Sequence, residues 1–361
     1  MQRIVFTGGG TGGHIIPNVA ILNKLKKELP EIEVLYIGSK KGPEATMIPA
    51  LGFDYKSVPT GKLRRYFSLW NFIDLFKVPF GILSAYFILR KFKPAVVFSK
   101  GGYVSLPVIY ASHWLKIPIV LHESDASPGL ANKLSAKKAS LLCLAYEESA
   151  EHFPANVEKI VTGNPVREDI LKGDASSGHS ILGFDEVLPT VLVMGGSQGA
   201  QKVNEAVFSV IGDLVPHYQV IHICGKGKLP KAVKLDDKLR DRYKTFEYVD
   251  KELADYYAIT DLVVSRSGAN SIAEIEALGI PTILVPIGSA ASRGEQMLNA
   301  MAYKKVRDNT EIIPNDEFDG KRLKDAIAKI LPFEGFVKGK HHVEEESAGT
   351  NKVVEVLKGY F

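Results

Sequence analysis

Two stretches of this sequence begin alike, each with an apolar strand pattern that runs directly into a glycine-rich turn and then into a helix pattern. The first reads RIVFTGGGTGG from residue 3, and the second reads TVLVMGGSQGA from residue 190. A strand, a tight glycine turn and a helix in this order form the opening unit of a Rossmann-like sheet. Because the unit occurs twice, and because 361 residues exceed what one hydrophobic core usually supports, the sequence predicts two Rossmann-like domains.

Apolar runs of strand length alternate with helix patterns through both halves of the chain. The predicted strands span residues 4–6, 33–37, 96–98, 119–122, 141–145 and 159–161 in the first half, and 190–194, 218–224, 245–248, 262–265 and 282–285 in the second. The predicted helices include 17–28, 72–91, 129–138, 202–214 and 269–277. This alternation indicates an α/β fold with parallel sheets that carry helices on both faces. We predict domains at 1–163 and 164–340, followed by a helix in 341–361 that packs back on the first domain.

The glycine-rich turns predict anion sites, because each places backbone N–H groups and the positive end of a helix at one point. Gly8, Gly10 and Gly13 fit the spacing of a dinucleotide fingerprint, but that fingerprint also needs an acid at the end of the second strand, about 20 residues on. That strand here ends in YIGSKKG, which contains no acid. The spacing therefore disfavours NAD and leaves NADP open. A second glycine turn, SKGGYVSLP at 99–107, also follows a strand and predicts a second anion site at the same edge of the sheet.

The second half carries two further candidates for ligand contact. In GGSQGA, Ser197 adds a hydroxyl donor to a third glycine turn. In SRSGANSIAE, a helix that opens at Ala269 would direct its N-terminal N–H groups at a ligand, and Glu274 in its first two turns could bridge two ribose hydroxyls. The alternative for Glu274 is a surface carboxylate that stabilises the helix dipole.

The charge of the chain is unevenly distributed. Residues 1–150 contain 19 Lys and Arg against 10 Asp and Glu, whereas the rest contains 26 against 31. In the basic half, the stretch 61–87 combines cations with apolar and aromatic residues, a composition that suits the interface of an anionic membrane. The membrane-facing residues that we predict are Leu69, Trp70, Phe72, Ile73 and Phe76. The alternative is a core-packing helix, and the uncharged run within the stretch is too short to span a bilayer.

Six groups of motifs follow one another along almost the whole chain. They are GGGTGGH at 8–14, SKGGYVS at 99–105, HES at 122–124 with GLANK at 129–133, GNPVR at 163–167, GGSQGA at 195–200 and SRSGANSIAE at 265–274. In this order they resemble the MurG family of peripheral-membrane N-acetylglucosaminyltransferases. The resemblance implies a GT-B architecture, in which two Rossmann-like domains flank a cleft, the N-terminal domain binds a lipid-linked acceptor and the C-terminal domain binds UDP-N-acetylglucosamine (UDP-GlcNAc).

The resemblance also implies an activity. It is the inverting transfer of N-acetylglucosamine (GlcNAc) to the muramoyl C4 hydroxyl of undecaprenyl-diphospho-MurNAc-pentapeptide (lipid I), which gives lipid II for peptidoglycan synthesis. The implied location is the cytoplasmic face of the plasma membrane, with peripheral attachment to anionic lipid. The implied partners are the two substrates and proteins of cell-wall synthesis, without nucleic acid, and neither a metal nor a cofactor is expected.

Roles for individual residues follow from the positions of the motifs in the resemblance. The expected donor contacts are Thr11, Gly12, Gly13, Asn132, Arg167, Ser197, Val249, Ala269, Asn270, Glu274 and Gln296. The expected residues at the acceptor diphosphate are Gly8, Gly9, Gly10, Gly101, Gly102 and Tyr103. His14 is expected to be the catalytic base, because histidine titrates near neutral pH, and Glu123 is the second candidate. The alternative for His14 is a structural donor to a phosphate.

Two departures from the family pattern fall near the expected sugar. Asp125 stands where the family commonly has Asn, and an ionised Asp can accept but not donate a hydrogen bond. Residues 287–296 read IGSAASRGEQ, with Glu295 in place of the first of two glutamines. GlcNAc remains the expected sugar. The alternatives are a related lipid glycosyltransferase that makes a glycolipid, an NADP-dependent oxidoreductase that uses the first glycine turn, and a UDP-sugar epimerase.

Overall fold

The computed structural model describes residues 2–61, 69–196, 199–230, 235–288, 294–339, 341 and 343–361, without the side chains of residues 69–76. The chain divides into two compact units. The first unit comprises Met1–Arg167 and Ser347–Phe361, and the second comprises Glu168–Glu346. Each unit is built on a parallel sheet, so the α/β fold predicted from the sequence is confirmed.

The first unit alternates strands with helices in chain order. Its strands are β1 (Arg3–Thr7), β2 (Glu33–Gly38), β3 (Asp54–Ser57), β4 (Val96–Ser99), β5 (Ile119–Glu123), β6 (Leu141–Leu144) and β7 (Glu158–Val161). Its helices are α1 (Gly12–Glu28), α2 (Glu44–Ala50), α3 (Leu69–Phe92), α4 (Leu106–Trp114), α5 (Leu130–Ser135) and the C-terminal helix Ala348–Lys358. Among the described residues these strands form one sheet in the order β3-β2-β1-β4-β5-β6-β7.

The central strand β1 is buried on both faces, as a parallel sheet between helix layers requires. Ile4 and Phe6 pack on one face with Leu25 of α1 and Val354 of the C-terminal helix. Val5 packs on the opposite face, in the layer formed by α3 and α4. The continuous apolar run of β1 therefore holds two helix layers at once, and it fixes the glycine turn that follows it at the carboxyl edge of the sheet.

The C-terminal helix is part of the first unit. Predicted within 341–361, it spans Ala348–Lys358 and buries Val354 and Leu357 completely. The backbone N–H of Val166 donates to Ser347 Oγ (3.2 Å) and to Thr350 Oγ1 (3.1 Å) at the start of this helix. These bonds retain residues 164–167 in the first unit, so the units divide after Arg167, whereas the predicted division falls after residue 163.

The second unit repeats the pattern. Its strands are β8 (Thr190–Met194), β9 (Gln219–Ile223), β10 (Tyr243–Phe246), β11 (Leu262–Ser265), β12 (Thr282–Leu284) and β13 (Thr310–Ile312). Its helices are α6 (Ala175–Leu182), α7 (Gln201–Leu214), α8 (Leu253–Ala258), α9 (Ala269–Leu278), α10 (Glu295–Val306) and α11 (Gly320–Ile330). In the part of this unit that the structure describes, the sheet order is β10-β9-β8-β11-β12-β13.

Two strands are absent from the sequence prediction, and a third is displaced. Both missed strands lie at a sheet edge: β3 reads DYKS and is largely exposed, and β13 has only three residues. Short or polar edge strands lack the apolar run on which a sequence prediction depends. The strand β10 begins at Tyr243, ahead of the predicted range 245–248.

Candidate functional site

The glycine turn after β1 is held from beneath by polar side chains of the first unit. Gly8 and Gly10 have φ values of 135° and 84°, which a residue with a Cβ rarely adopts. The buried Tyr36 Oη donates to the carbonyl of Gly8 (2.6 Å), and Asn18 Nδ2 donates in turn to Tyr36 Oη (2.8 Å). Burial raises the pKa of Tyr36 well above its usual range, so this phenol remains a donor. The turn is therefore preorganised before any ligand binds.

Glu44 is the residue that the sequence analysis missed at this turn. No acid stands at the end of β2, but Glu44 at the start of α2 is fully buried and reaches the glycines from there. Its Oε2 accepts from the N–H of Gly10 (3.0 Å), and its Oε1 accepts from the backbone N–H of Ser39 (3.1 Å). A Cβ on Gly9 would lie 2.5 Å from its carboxyl carbon. The backbone N–H of Gly10, which we expect at the acceptor diphosphate, thus already donates a hydrogen bond to a carboxylate of the protein.

The second glycine turn lies against the first, since β1 and β4 are neighbours in the sheet. Gly102 has a φ of 81°, and a Cβ added to it would lie 2.7 Å from the carbonyl oxygen of Gly9 and 3.0 Å from His14 Cδ2. A Cβ on Gly10 would lie 2.6 Å from the ring of Tyr103. The structure therefore brings together His14, Tyr103 and both turns. We call this arrangement, residues 8–14 with 101–103, the interlocked turns.

The start of α1 is the outward-facing part of the interlocked turns. Thr11 precedes the helix without capping it through its side chain, and Thr11, Gly12 and Gly13 are exposed. The N–H of Gly101, by contrast, donates to Ser99 Oγ (3.1 Å) within the sheet edge. Because the first N–H groups of a helix point away from it and carry its positive end, an anion at this edge would meet residues 11–13 first.

Glu123 organises the loop that follows β5. It is 5% exposed. Its carboxylate accepts four hydrogen bonds, from the N–H groups of Ser124 (2.9 Å), Asp125 (3.0 Å) and Gly129 (3.1 Å) and from Asn132 Nδ2 (2.9 Å). Burial, and then the neighbouring Asp125 carboxylate, raise the pKa of Glu123. With four donors engaged, Glu123 closes the loop 124–129 on itself.

Asn132 joins this loop to the second glycine turn. Its Nδ2 also donates to the carbonyl of His122 (3.0 Å), and its side-chain oxygen would lie 2.7 Å from a Cβ added to Gly101. Asn132 is only 4% exposed. In this structure Asn132 packs beneath Gly101, and its expected contact with the donor stays a prediction.

A buried lysine lies at the end of β4. Lys100 is 1% exposed. Its Nζ lies 2.7 Å from His122 Nδ1, 2.7 Å from Ser124 Oγ and 2.6 Å from Asn164 Oδ1. Burial lowers the pKa of Lys100 to about 7, while the carboxylates of Glu123 and Asp125 act in the opposite direction. Burial, and then the charge of Lys100, hold the pKa of His122 well below its usual range, which keeps that imidazole neutral.

The predicted donor residues of the second unit lie at the carboxyl edge of its own sheet. The helix α9 begins at Ala269 after β11, without a side-chain cap, and Asn270 and Glu274 are partly exposed on its first turns. Val249 is buried in an apolar cluster of this unit. Gln296 Oε1 accepts from the N–H of Ile287 (3.2 Å). Ser197 lies outside the described residues, as do residues 289–293 of the variant segment.

A pocket elsewhere in the second unit contains none of the predicted site residues. It has a volume of about 560 Å³ and lies between the segment after Arg167, the helices α6 and α8, and the residues Lys338, Gly339, His341 and Val343. Its polar lining includes His179, Asp261, Lys338 and His341. The Lys338 ammonium lies 3.6 Å from Asp261 Oδ2, and His341 Nε2 lies 3.1 Å from the Thr260 carbonyl oxygen.

The predicted membrane-facing side chains of Leu69, Trp70, Phe72, Ile73 and Phe76 lie outside the described side chains. The continuation of the same helix, α3, exposes Phe80 (68%), Leu83 (52%) and Phe87 (60%) at helical spacing. Trp114, at the end of α4, is 60% exposed as well. In the part of the chain that the structure describes, we find no helix with the length and hydropathy of a membrane span.

Two family models match the chain, one in its N-terminal part and one in its C-terminal part. The glycosyltransferase family 28 N-terminal domain matches residues 4–142, and the glycosyltransferase family 28 C-terminal domain matches residues 190–353.

Curated relatives match over most of their length. A UDP-N-acetylglucosamine–N-acetylmuramyl-(pentapeptide) pyrophosphoryl-undecaprenol N-acetylglucosamine transferase 2 of Bacillus cereus is 46% identical over 306 residues, 84% of this chain and 85% of its own. The transferase of the same name in Clostridium perfringens is 40% identical over 356 residues, 99% of this chain and 98% of its own. Among solved structures, Acinetobacter baumannii MurG superposes with a TM-score of 0.72 at 22% identity, covering 99% of this chain and all of its own. This similarity confirms the predicted fold class.

Proposed function

This chain belongs to glycosyltransferase family 28 and to its MurG group, and from this membership we propose that it transfers GlcNAc from UDP-GlcNAc to the muramoyl C4 hydroxyl of lipid I, which yields lipid II. The observation that carries the proposal is the identity of 40% over 356 residues to a transferase named for this donor and this acceptor. The interlocked turns support it, because they combine a helix N-terminus suited to a diphosphate with a histidine suited to proton transfer.

We assign the acceptor side of the reaction to the first unit. Gly102 and Tyr103 of the second glycine turn would receive phosphate oxygens of the acceptor, and the exposed residues Thr11, Gly12 and Gly13 beside them would contact the donor. The amides of Gly10 and Gly101 are engaged by Glu44 and Ser99, so they would shape the turns rather than bind the ligand.

His14 would take the proton of the C4 hydroxyl as that oxygen attacks C1 of the sugar. The C1–O bond to UDP breaks in the same displacement, which inverts the configuration at C1. Arg167, Ser197 and backbone N–H groups would stabilise the charge that grows on the departing diphosphate, without a metal ion. Glu123, with four hydrogen bonds to its own loop, would position that loop rather than accept the proton.

The donor side would rest on the second unit. The N-terminus of α9 at Ala269 and Asn270 would face the diphosphate, and Glu274 would bind the ribose hydroxyls. The backbone of Val249 would form hydrogen bonds with the uracil ring, while its side chain stays in the apolar core. Gln296 would contact the GlcNAc hydroxyls.

A transfer assay tests the proposed function. The purified protein is incubated with UDP-GlcNAc and a short-chain lipid I analogue, and products are identified by mass spectrometry. We expect a disaccharide on the lipid diphosphate, formed only when both substrates are present. Sugar transfer to diacylglycerol instead, conversion of UDP-GlcNAc to its C2 epimer, or oxidation of NADPH without transfer would each contradict the proposal and identify the corresponding alternative.

We further propose that the enzyme is peripheral, on the cytoplasmic face of the plasma membrane, and meets proteins of cell-wall synthesis there. The exposed apolar residues on α3 support membrane contact, and Lys77, Arg90 and Lys91 on the same helix would attract anionic headgroups. The buried face of α3, with Ile82 and Leu89, packs against the sheet. The helix therefore packs on the core with one side and presents both apolar side chains and cations on the other.

Replacing Phe80 and Phe87 together by serine is expected to weaken binding to vesicles that contain phosphatidylglycerol. Each side chain exposes most of its surface, and transferring an aromatic side chain out of water contributes about 1.5–3 kcal/mol, so we expect a loss of at least tenfold (~1.4 kcal/mol) in vesicle affinity by cosedimentation. UDP-GlcNAc affinity is expected to be unchanged. The control is the double variant of Val187 and Val306 to serine, since both are exposed on the second unit. Equal vesicle binding by both double variants would reject α3 as the contact.

A further inference from the structure

Lys100 is a buried charge that the proposed mechanism leaves unused. It directly follows β4 and leads into the Gly101–Gly102 turn, and its backbone N–H donates to the carbonyl of Thr7 (3.2 Å) at the end of β1. Burial of an ammonium is costly unless each of its protons has an acceptor. The side chain does not reach toward a ligand at the sheet edge, since only 1% of the residue is exposed.

The three protons of Lys100 have three neutral acceptors. They are His122 Nδ1, Ser124 Oγ and Asn164 Oδ1, each within 2.7 Å. Since His122 Nδ1 accepts from the ammonium, its other ring nitrogen carries the hydrogen and donates to the carbonyl of Gly163 (3.0 Å). Lys100 thereby joins three segments that are distant in the sequence: the turn after β4, the loop after β5 and the segment after β7.

The segment after β7 is held from its other side by the C-terminal helix. Ser347 and Thr350 accept from the N–H of Val166, and Thr350 Oγ1 donates back to the carbonyl of the same residue (2.8 Å). A Cβ on Gly349 would lie 2.5 Å from the carbonyl oxygen of Asn164. Residues 163–166 therefore lie between Lys100 and this helix, immediately before Arg167.

We propose that Lys100 is a positioning residue for the transfer reaction: its ammonium fixes the Gly101–Gly102 turn relative to residues 163–166, and so fixes the acceptor side relative to Arg167. The inference rests on the proposed function for the roles of the turn and of Arg167. Without the ammonium, three acceptors, of which His122 and Asn164 are buried, lose their donor at once, and the two segments are free to shift independently. A misplacement of about 1 Å at a reaction centre costs about 100-fold in rate.

The test compares Lys100→Met with Lys24→Met. Lys24 is also a buried lysine of the first unit, 7% exposed, and it pairs with Glu28 (3.4 Å) on α1. We expect Lys100→Met to lower kcat/KM for the lipid I analogue about 100-fold, and Lys24→Met to leave it within about twofold at matched thermal stability. Amide hydrogen exchange is expected to accelerate in both 101–105 and 163–166 in Lys100→Met, and in neither segment in Lys24→Met.

Asn164→Ala provides a milder variant should Lys100→Met fail to fold, because it removes one acceptor and leaves two. If Lys100 acts through Asn164, the double variant Lys100→Met with Asn164→Ala is expected to have a kcat/KM no lower than that of Lys100→Met alone. Wild-type kcat/KM in Lys100→Met, faster exchange confined to one segment, or multiplicative losses in the double variant would overturn the proposal. If Lys100→Met accelerates exchange in both segments but the wild-type protein transfers no sugar, the structural coupling through Lys100 stands and the proposed function is rejected.

Discussion

Replacing His14 by alanine is expected to lower kcat for GlcNAc transfer about 10²–10⁴-fold, the usual contribution of a positioned general base. The residue lies in the first turn of α1, with its ring beside Gly102 of the second glycine turn. Both turns are held by buried hydrogen bonds, so the imidazole is presented on a rigid support. UDP-GlcNAc binding, measured by calorimetry, is expected to stay within about threefold, because the proton transfer belongs to the transition state rather than to the ground state.

Imidazole added to the solution separates loss of the base from loss of structure. We expect it to restore part of the kcat of His14→Gly, since a free base can occupy the vacated space. His152→Ala is the control, because His152 is an exposed histidine of the same unit. Two results would favour the structural alternative for this histidine. One is a wild-type kcat in His14→Ala. The other is a loss of activity that added imidazole does not restore, accompanied by weaker binding of phosphate.

The sequence predicts the frame of this site well because the frame is local. The strand β1, its glycine turn and α1 follow one another along the chain, and their apolar and glycine pattern is visible without any tertiary information. The helix α1 nevertheless begins at Gly12, earlier than the predicted residue 17. Pro17 lies inside the helix, in its second turn, where it removes the N–H that would otherwise donate to the carbonyl four residues earlier, so proline there does not mark the helix start.

The tertiary partners of the turns were beyond sequence reasoning. Glu44 resembles an ordinary helix-start carboxylate in the sequence, and its contact with Gly10 depends on how α2 returns over the sheet. Lys100, in a motif that suggests phosphate binding, turns inward because its three acceptors come from two other strand ends. Glu123 is chemically suited to be a base, and only its four donors identify it as a loop anchor. In each case the residue type predicted a polar contact. Only the packing shows whether the partner in that contact is a ligand or another part of the protein.

Replacing Gly102 by alanine is expected to lower kcat/KM for the acceptor at least about 100-fold, whereas Gly52→Ala leaves it unchanged. The two glycines have φ values of 81° and 82°, so both variants carry the same backbone strain, about 1–2 kcal/mol. Their surroundings differ: a Cβ at Gly52 meets nothing within 4 Å, whereas a Cβ at Gly102 lies 2.7 Å from the backbone oxygen of Gly9.

The comparison isolates the contact between the turns from the cost of positive φ. Thermal unfolding is expected to show similar destabilisation from strain in both variants, with an additional loss in Gly102→Ala as the turns separate. Because a backbone oxygen cannot rotate away like a side-chain end, the separation must move Gly9 or His14, and either movement disturbs the proposed base. Equal kcat/KM in the two variants would show that the close approach of the turns is dispensable for transfer, and the acceptor site would then have to be sought away from the interlocked turns.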